Sequence, residues 1–189
     1  QTVTGVQTCA LPISLYDLFI PETDDAPLAS GLAMAERPLD CLVDLGGGTG
    51  RAASVLSQPT AVLDGSRPML DRARRQNLPT IRGDVRSLPL RSERVDGLVA
   101  VDAIHHFPDV PGVLEESARV LRPGGVFVIR DFDPTTLRGR ALVLGERVIG
   151  FDSTFYSPGD LASMLRNVGL TPTVLNTGFA YTVVGVKEA

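Results

Sequence analysis

The sequence predicts an α/β protein built on a doubly wound, mostly parallel sheet. Three observations predict it. Between residues 39 and 131, short apolar runs alternate with helical patterns, as βαβ units do. The first run, Cys41-Leu42-Val43, ends in Asp44 and the glycine-dense turn Gly46-Gly47-Gly48-Thr49-Gly50. The second, Thr60-Ala61-Val62-Leu63, ends in Asp64, 20 residues beyond Asp44. Open sheets of this kind bind ligands at the carboxyl ends of their strands, and a glycine backbone approaches a ligand with no Cβ in the way.

The elements follow in order. Residues 3–13 resemble a translated sequencing adapter, so 1–13 are read as foreign and 14–189 as a single domain. With no basic start and no continuous apolar core, the segment does not read as a signal peptide. Residues 14–38 read as a helical lead-in carrying Tyr16, Leu18, Phe19, Leu28, Leu32 and Met34, interrupted by Pro21, Pro27 and Gly31. Strand one holds Cys41, expected as a small buried side chain. A helix-compatible segment follows the glycine turn. After Asp64, Ser66 suits an N-cap and Pro68 the first turn of a helix. Arg82-Gly83-Asp84-Val85 ends a third strand, and Arg94 to Val101 form a fourth. A helix over 109–121 places Val113, Leu114, Ala118, Val120 and Leu121 on a core stripe. Pro123 stops it, Gly124-Gly125 turn the chain, and Val126-Phe127-Val128-Ile129 start the fifth strand.

Residues 134–157 break this rhythm. Leu137, Ala141, Leu144, Val148 and Phe151 recur at three or four residues and predict one apolar helix face. Two readings of that face stand side by side: an ordinary core-facing helix, or a lid over an acceptor pocket. A further helix runs over about 158–168. Two strand-like runs then meet near Thr177-Gly178, and the β-branched run Tyr181 to Val186 suits a late central strand.

The glycine turn has its own chemistry. A dinucleotide fingerprint places glycines as G-x-G-x-x-G. Gly46 and Gly48 supply the first two, but Arg51 stands at the third place and Gly50 falls one residue early. Asp44 repels phosphate and suits an ammonium group. An amino-acid-bearing nucleoside therefore fits better than the cofactor of an NAD-dependent oxidoreductase.

Val43 to Arg51 resembles motif I of the class I S-adenosylmethionine (AdoMet) methyltransferases. Leu63 to Leu70 resembles the family's second motif, Asp102-Ala103-Ile104-His105-His106-Phe107 its loop after the fourth strand, and Leu121 to Ile129 its last parallel turn and strand. The resemblance covers 39 to about 132 and thins over 133–157. It is closest to small-molecule enzymes, including quinone-ring C-methyltransferases, and it implies a Rossmann-like sheet of about seven strands closed by a C-terminal antiparallel hairpin. It implies that Asp44 meets the methionine end of AdoMet, Asp64 the ribose hydroxyls and Asp84 the adenine amino group, with Gly46, Gly48, Gly65, Val85 and Val101 completing the cofactor site. It also implies a small-molecule acceptor, with an apolar ring compound such as a quinone precursor as one candidate. The 102–107 loop and the 134–157 segment would build the acceptor site.

Methyl transfer from a sulfonium is an in-line displacement that needs positioning and exclusion of water more than a catalytic triad. His105 and His106 are the only histidines, and an ordinary histidine titrates near neutrality. His106, and with it His105, is the candidate base, and His106 and Tyr156 the candidate acceptor contacts. Asp102, Asp131 and Asp133 lie at strand ends where catechol-type relatives hold Mg²⁺, but their spacing is different. They are read as solvated loop carboxylates, and no metal site is expected.

Composition sets the remaining limits. The formal net charge is −4 and the isoelectric point about 5.2, so a broad nucleic-acid footprint is not expected; Lys187 is the only lysine, an arginine bias that could suggest phosphate recognition but is read as genomic base composition. No apolar run approaches the roughly 20 residues that span a bilayer. Two cysteines, Cys9 and Cys41, suggest no disulfide or metal framework, and a cytoplasmic setting is expected. A homo-oligomer is compatible with the sequence. Two other functions remain open: an AdoMet-binding regulatory pseudoenzyme, and a macromolecule-directed methyltransferase.

Overall fold

The computed structural model describes residues 25–189. The candidate apolar positions Tyr16, Leu18 and Phe19, and the adapter-like segment, lie outside the described residues. The elements are α1 (Asp25–Leu32), β1 (Leu42–Leu45), β2 (Thr60–Asp64), α2 (Arg67–Arg75), β3 (Thr80–Arg82), β4 (Val95–Val101), a 3-10 turn (Ile104–His106), α3 (Val110–Val120), β5 (Leu121–Phe132), α4 (Leu137–Val148), α5 (Pro158–Asn167), β6 (Leu170–Asn176) and β7 (Ala180–Lys187).

Seven strands form one sheet in the order β3-β2-β1-β4-β5-β7-β6. β1 to β5 pair in parallel, and β7 runs antiparallel to both β5 and β6. The chain winds outward from β1 to β3, then returns to place β4 on the other side of β1. That reversal opens a crevice at the carboxyl ends of β1 and β4, where doubly wound sheets bind ligands. The fold matches the expected class, including the closing hairpin.

Strand alternation sorts the core into two faces. Val43 and Leu45 of β1 join Leu114 of α3 and Leu161 and Leu165 of α5. Leu42, on the other face, joins Leu28 and Leu32 of α1 with Val99, Val126 and Val128. Val62 packs with Leu70 and Ala73 of α2. The inner strands are thus buried on both sides, which is why they read as continuous apolar runs. Gly31, an apparent interruption in the sequence, lets α1 seat on the sheet: a Cβ there would lie 2.8 Å from Val128 and 3.1 Å from Val184.

Three expectations need correction, and one of the two readings of the 134–157 face falls. The segment after the glycine turn forms only turns, because residues 51–59 must both cover Val62 with Ala53 and return to β2, leaving no room for a regular helix. The 123–125 turn lies within β5, as a bulge where the register passes from Val95↔Leu121 to Gly97↔Val126 and Gly124 takes φ +75°. Cys41 is exposed, one residue before β1, and its amide donates to Asp96 at 2.9 Å. The apolar face of α4 does not pack on the core: Leu137 is 85% exposed and Val148 78%, while Glu146 is the side chain turned inward. No helix among the described residues is long and apolar enough to cross a membrane.

Candidate active site

Asp44 is the last-but-one residue of β1, in register with Val62 on one side and Val99 on the other. Its side chain therefore points into an apolar face. It is 1% exposed, and neither carboxylate oxygen has a hydrogen-bond partner. Burial pushes its pKa up to about 7, with a smaller contribution from Asp64, against the opposing pull of the nearby Ala53 amide and the Arg51 charge. The turn lies directly over this carboxylate: a Cβ on Gly47 would collide with its oxygens. Gly46 takes φ +65°, and a Cβ there would lie 2.7 Å from the Phe107 ring. Above Gly48 nothing lies within 4 Å of a Cβ position. The turn thus has a packed underside and an open upper side.

Asp64 ends β2 beside this opening. One of its oxygens accepts from the Gly48 amide at 3.0 Å and the other from the Ser66 amide at 2.7 Å. The carboxylate therefore ties the tip of the glycine turn to the start of α2. Burial raises its pKa, against the pull of these two amides. Ser66 occupies the N-cap position as expected, but its side chain makes no capping bond. Gly65 sits half-buried in the same turn.

Asp84 lies past the end of β3 and is about half exposed. Arg86 clasps it through Nε at 3.1 Å and Nη2 at 2.7 Å, and the Arg86 amide adds a bond of 2.9 Å. These contacts hold its carboxyl below the usual range. Val85 and Val101 are half-buried, and both pack at the edges of the core.

The loop after β4 closes the other side. Asp102 adopts φ +51°, a left-handed conformation uncommon outside glycine. Two arginines fix it: Arg51 from the glycine turn at 2.7 Å and Arg130 from β5 at 3.0 Å. Asp131 accepts from the His105 amide at 3.1 Å and lies 2.7 Å from its Nδ1. Asp133 accepts from the Thr135 amide at 2.8 Å and from its hydroxyl at 2.7 Å. All three carboxylates are buried, not solvated as the sequence suggested. Each has found cationic or N–H/O–H donors that lie far apart in the chain or in a turn no periodicity reveals.

The two histidines part company here. His105 is 2% exposed and stacks on Phe155 at 4.4 Å. Burial alone would lower its pKa, but Asp131, Glu146 and Asp102 outweigh it and hold the imidazole above its ordinary range. His106 is exposed, with Ser153 Oγ 3.1 Å from its Nδ1. Desolvation on its packed side and the charge of His105 hold it well below the ordinary range. The 151–156 segment lies across this loop, with the Thr154 amide donating to the His105 carbonyl at 2.8 Å. Tyr156 packs half-buried against the core, and its carbonyl accepts from the Tyr181 hydroxyl at 3.0 Å.

The structure therefore gathers Asp44, Gly46, Gly48 and Asp64 around one opening and sets the His105–His106 loop against Gly46 through Phe107. Asp84 lies two residues past Arg82, which is in register with Asp64, and is clasped by Arg86. Sequence reasoning missed Gly47, Phe107, Arg51 as the partner of Asp102, and Glu146. The Gly47 requirement follows from Asp44 once that side chain is known to lie beneath the turn. Nothing in the sequence marks Glu146 as inward-facing.

Comparison with known proteins fits this geometry. Residues 43–129 match a family model described as a methyltransferase domain. A malonyl-[acyl-carrier protein] O-methyltransferase from Xylella fastidiosa is 35% identical over 106 residues, 51% of this chain and 36% of that protein. A demethylmenaquinone methyltransferase from Corynebacterium kroppenstedtii is 33% identical over 99 residues, 51% of this chain and 43% of that protein. The matched part thus spans less than half the length of these curated relatives. Among solved structures, a SAM-dependent methyltransferase from Thermotoga maritima superposes with a TM-score of 0.76 at 22% identity, covering 93% of this chain and 96% of that one. Another from Aquifex aeolicus gives 0.69 at 17% identity, covering 92% and 97%.

Proposed function

We propose that the chain, whose residues 43–129 match a methyltransferase-domain model, is a class I AdoMet-dependent methyltransferase that transfers a methyl group from AdoMet to a small-molecule acceptor, an apolar ring compound such as a quinone precursor. The observation that carries this reading is the buried, unpartnered Asp44 carboxylate beneath a glycine turn whose upper side is open at Gly48. A cationic amino-acid group at the turn gives that carboxylate the counter-charge it lacks.

The rest of the cofactor site is proposed on the same footing. Asp64 retains lone pairs beyond the two amides it accepts, and these take the ribose hydroxyls. Asp84 accepts from the adenine amino group while Arg86 holds it ionised. Gly46, Gly48, Gly65, Val85 and Val101 supply surface that admits the nucleoside. When bound, AdoMet supplies a methyl group on a sulfonium that is already an activated leaving group. The chain's own task is then to hold acceptor and donor in line and keep water out. His106 and Tyr156 border the acceptor, with His105 behind His106. A proton lost by the acceptor leaves toward this histidine pair. The relative named a demethylmenaquinone methyltransferase supports a quinone-type acceptor, and the one named a malonyl-[acyl-carrier protein] O-methyltransferase supports methylation at oxygen of an acyl acceptor.

Calorimetric titration of the full chain with AdoMet, followed by transfer of labelled methyl to a panel of phenols, quinols and acyl esters, tests the reading. Binding followed by transfer to a ring acceptor is expected. Binding without transfer to any acceptor would favour a regulatory pseudoenzyme, and transfer only to nucleic acid or protein would favour a macromolecule-directed enzyme. No heat with AdoMet overturns the proposal.

A further inference from the structure

We propose that His105, His106 and Glu146 form a binding site for a divalent transition-metal ion on the acceptor side of the cleft. One ligating atom from each lies within 4.8 Å of the others. The argument begins with α4. This helix turns Leu137, Leu144 and Val148 to solvent and buries Glu146 to 9% exposure. Hydrophobic burial opposes that orientation, so something at Glu146 must favour it.

The described residues meet that need only in part, through the charge of His105. Glu146 Oε2 has no hydrogen-bond partner. Oε1 lies 3.8 Å from His105 Nε2, too far for a hydrogen bond. One oxygen of this buried carboxylate is thus left without a donor. A metal ion bonded to it supplies a partner.

The histidines are prepared for the same purpose. Asp131 sits 2.7 Å from Nδ1 of His105, which fixes the ring and leaves Nε2 toward Glu146. A carboxylate behind an imidazole in this way is the usual support of a metal-ligating histidine. Ser153 Oγ meets Nδ1 of His106 at 3.1 Å, leaving Nε2 available. The two ring centroids stand 4.0 Å apart, so a nitrogen of each ring comes within reach of one ion. Two imidazoles and one carboxylate form the donor set of open zinc and non-haem iron sites, with at least one position left for substrate or water. Bonds of about 2.1 Å place neighbouring ligands about 3.4 Å apart, so the side chains draw in by roughly 1 Å on binding.

The site itself stands on this geometry alone, but its use rests on the methyltransferase reading. A phenolic or enolic oxygen of the acceptor takes the open position, gives its proton to solvent or to a metal-bound hydroxide, and holds the ring against the methyl group. The metal bonds to oxygen and is neither oxidised nor reduced.

Tag-free full-length protein, stripped with a chelator, is titrated with Zn²⁺ by calorimetry and with Co²⁺ by visible absorption. One ion per chain is expected at micromolar affinity or better, with Co²⁺ bands characteristic of nitrogen and oxygen ligands. His106→Ala, an exposed position, and Glu146→Gln should each weaken binding at least tenfold. Asp131→Asn, which acts through His105, should weaken it about 10- to 100-fold and shift the Co²⁺ spectrum. Absence of stoichiometric binding, or binding that both His106→Ala and Glu146→Gln leave unchanged, overturns the inference. AdoMet titrated in parallel separates the two ideas. AdoMet heat without metal binding ends the metal site and leaves the proposed function. Metal binding without AdoMet heat does the reverse.

Discussion

Replacing Asp44 by asparagine isolates the cost of a buried charge. In the unfolded chain this carboxyl titrates near 3.8, and in the fold near 7. Between those values the folded protein holds one proton more than the unfolded one, so stability falls as pH rises through the window and levels off above it. The full loss is roughly 3 pK units, or about 4 kcal/mol. Between pH 5.5 and 7.5 the loss is about 2 kcal/mol, worth about 4–8 °C in Tm for a chain of this size. Asp44→Asn has no such slope. The Tm difference, variant minus wild type, should therefore rise by about 4–8 °C between pH 5.5 and 7.5. Differential scanning calorimetry reads this directly, and the subtraction cancels groups common to both proteins, such as His105. The same carboxylate should draw the AdoMet cation harder as it ionises, so wild-type affinity should climb by up to tenfold per pH unit toward pH 7. The variant should bind weakly with no such climb. A flat Tm difference, or a variant that binds AdoMet like wild type, refutes the account of Asp44.

Two glycines of the turn should respond differently to alanine. Gly46→Ala meets the Phe107 ring and a left-handed backbone, and should cost about 1–3 kcal/mol by urea denaturation; a change under about 0.5 kcal/mol would count against the packed underside. Gly48→Ala meets no neighbour, so it should cost only about 1–2 kcal/mol of backbone strain yet block AdoMet at the open side; binding at wild-type affinity would show that the cofactor lies elsewhere. Asp64→Asn should weaken AdoMet by about tenfold or more, about 1.4 kcal/mol, in a titration, because a ribose-facing acceptor becomes part donor. Leu144→Glu on the outer face of α4 should leave folding stability within about 0.5 kcal/mol; a larger loss would mean that this face is packed.

The glycine turn and Asp64 were legible because their chemistry is local. A strand must end before a turn, a turn that tight needs glycine, and the spacing of one βα unit fixes where the next strand tip falls. The structure shows the two joined, Gly48 amide to Asp64 carboxylate. The histidine pair was legible as residue types but not as roles. Their neighbours Asp131, Glu146 and Phe155 come from β5, α4 and the segment beyond it. Adjacent in sequence, they end with opposite burial and opposite pKa directions.

The α4 helix draws the same line more sharply. Periodicity identifies Leu137, Ala141, Leu144 and Val148 as one stripe, because 3.6 residues per turn is a property of the local chain. Which stripe faces inward is decided by what waits on the sheet, and here a carboxylate near two histidines prevails over four apolar side chains. Asp44, Asp102, Asp131 and Asp133 follow the same rule. By itself the sequence determined the α/β alternation, the bare turn and the acidic strand tips, all set by contacts within about 20 residues. Only the tertiary structure decided which of those acids lose water and which arginines or histidines meet them. Desolvation and charge pairing depend on distance in space, and the partners come from strands that the sheet, not the chain, makes neighbours.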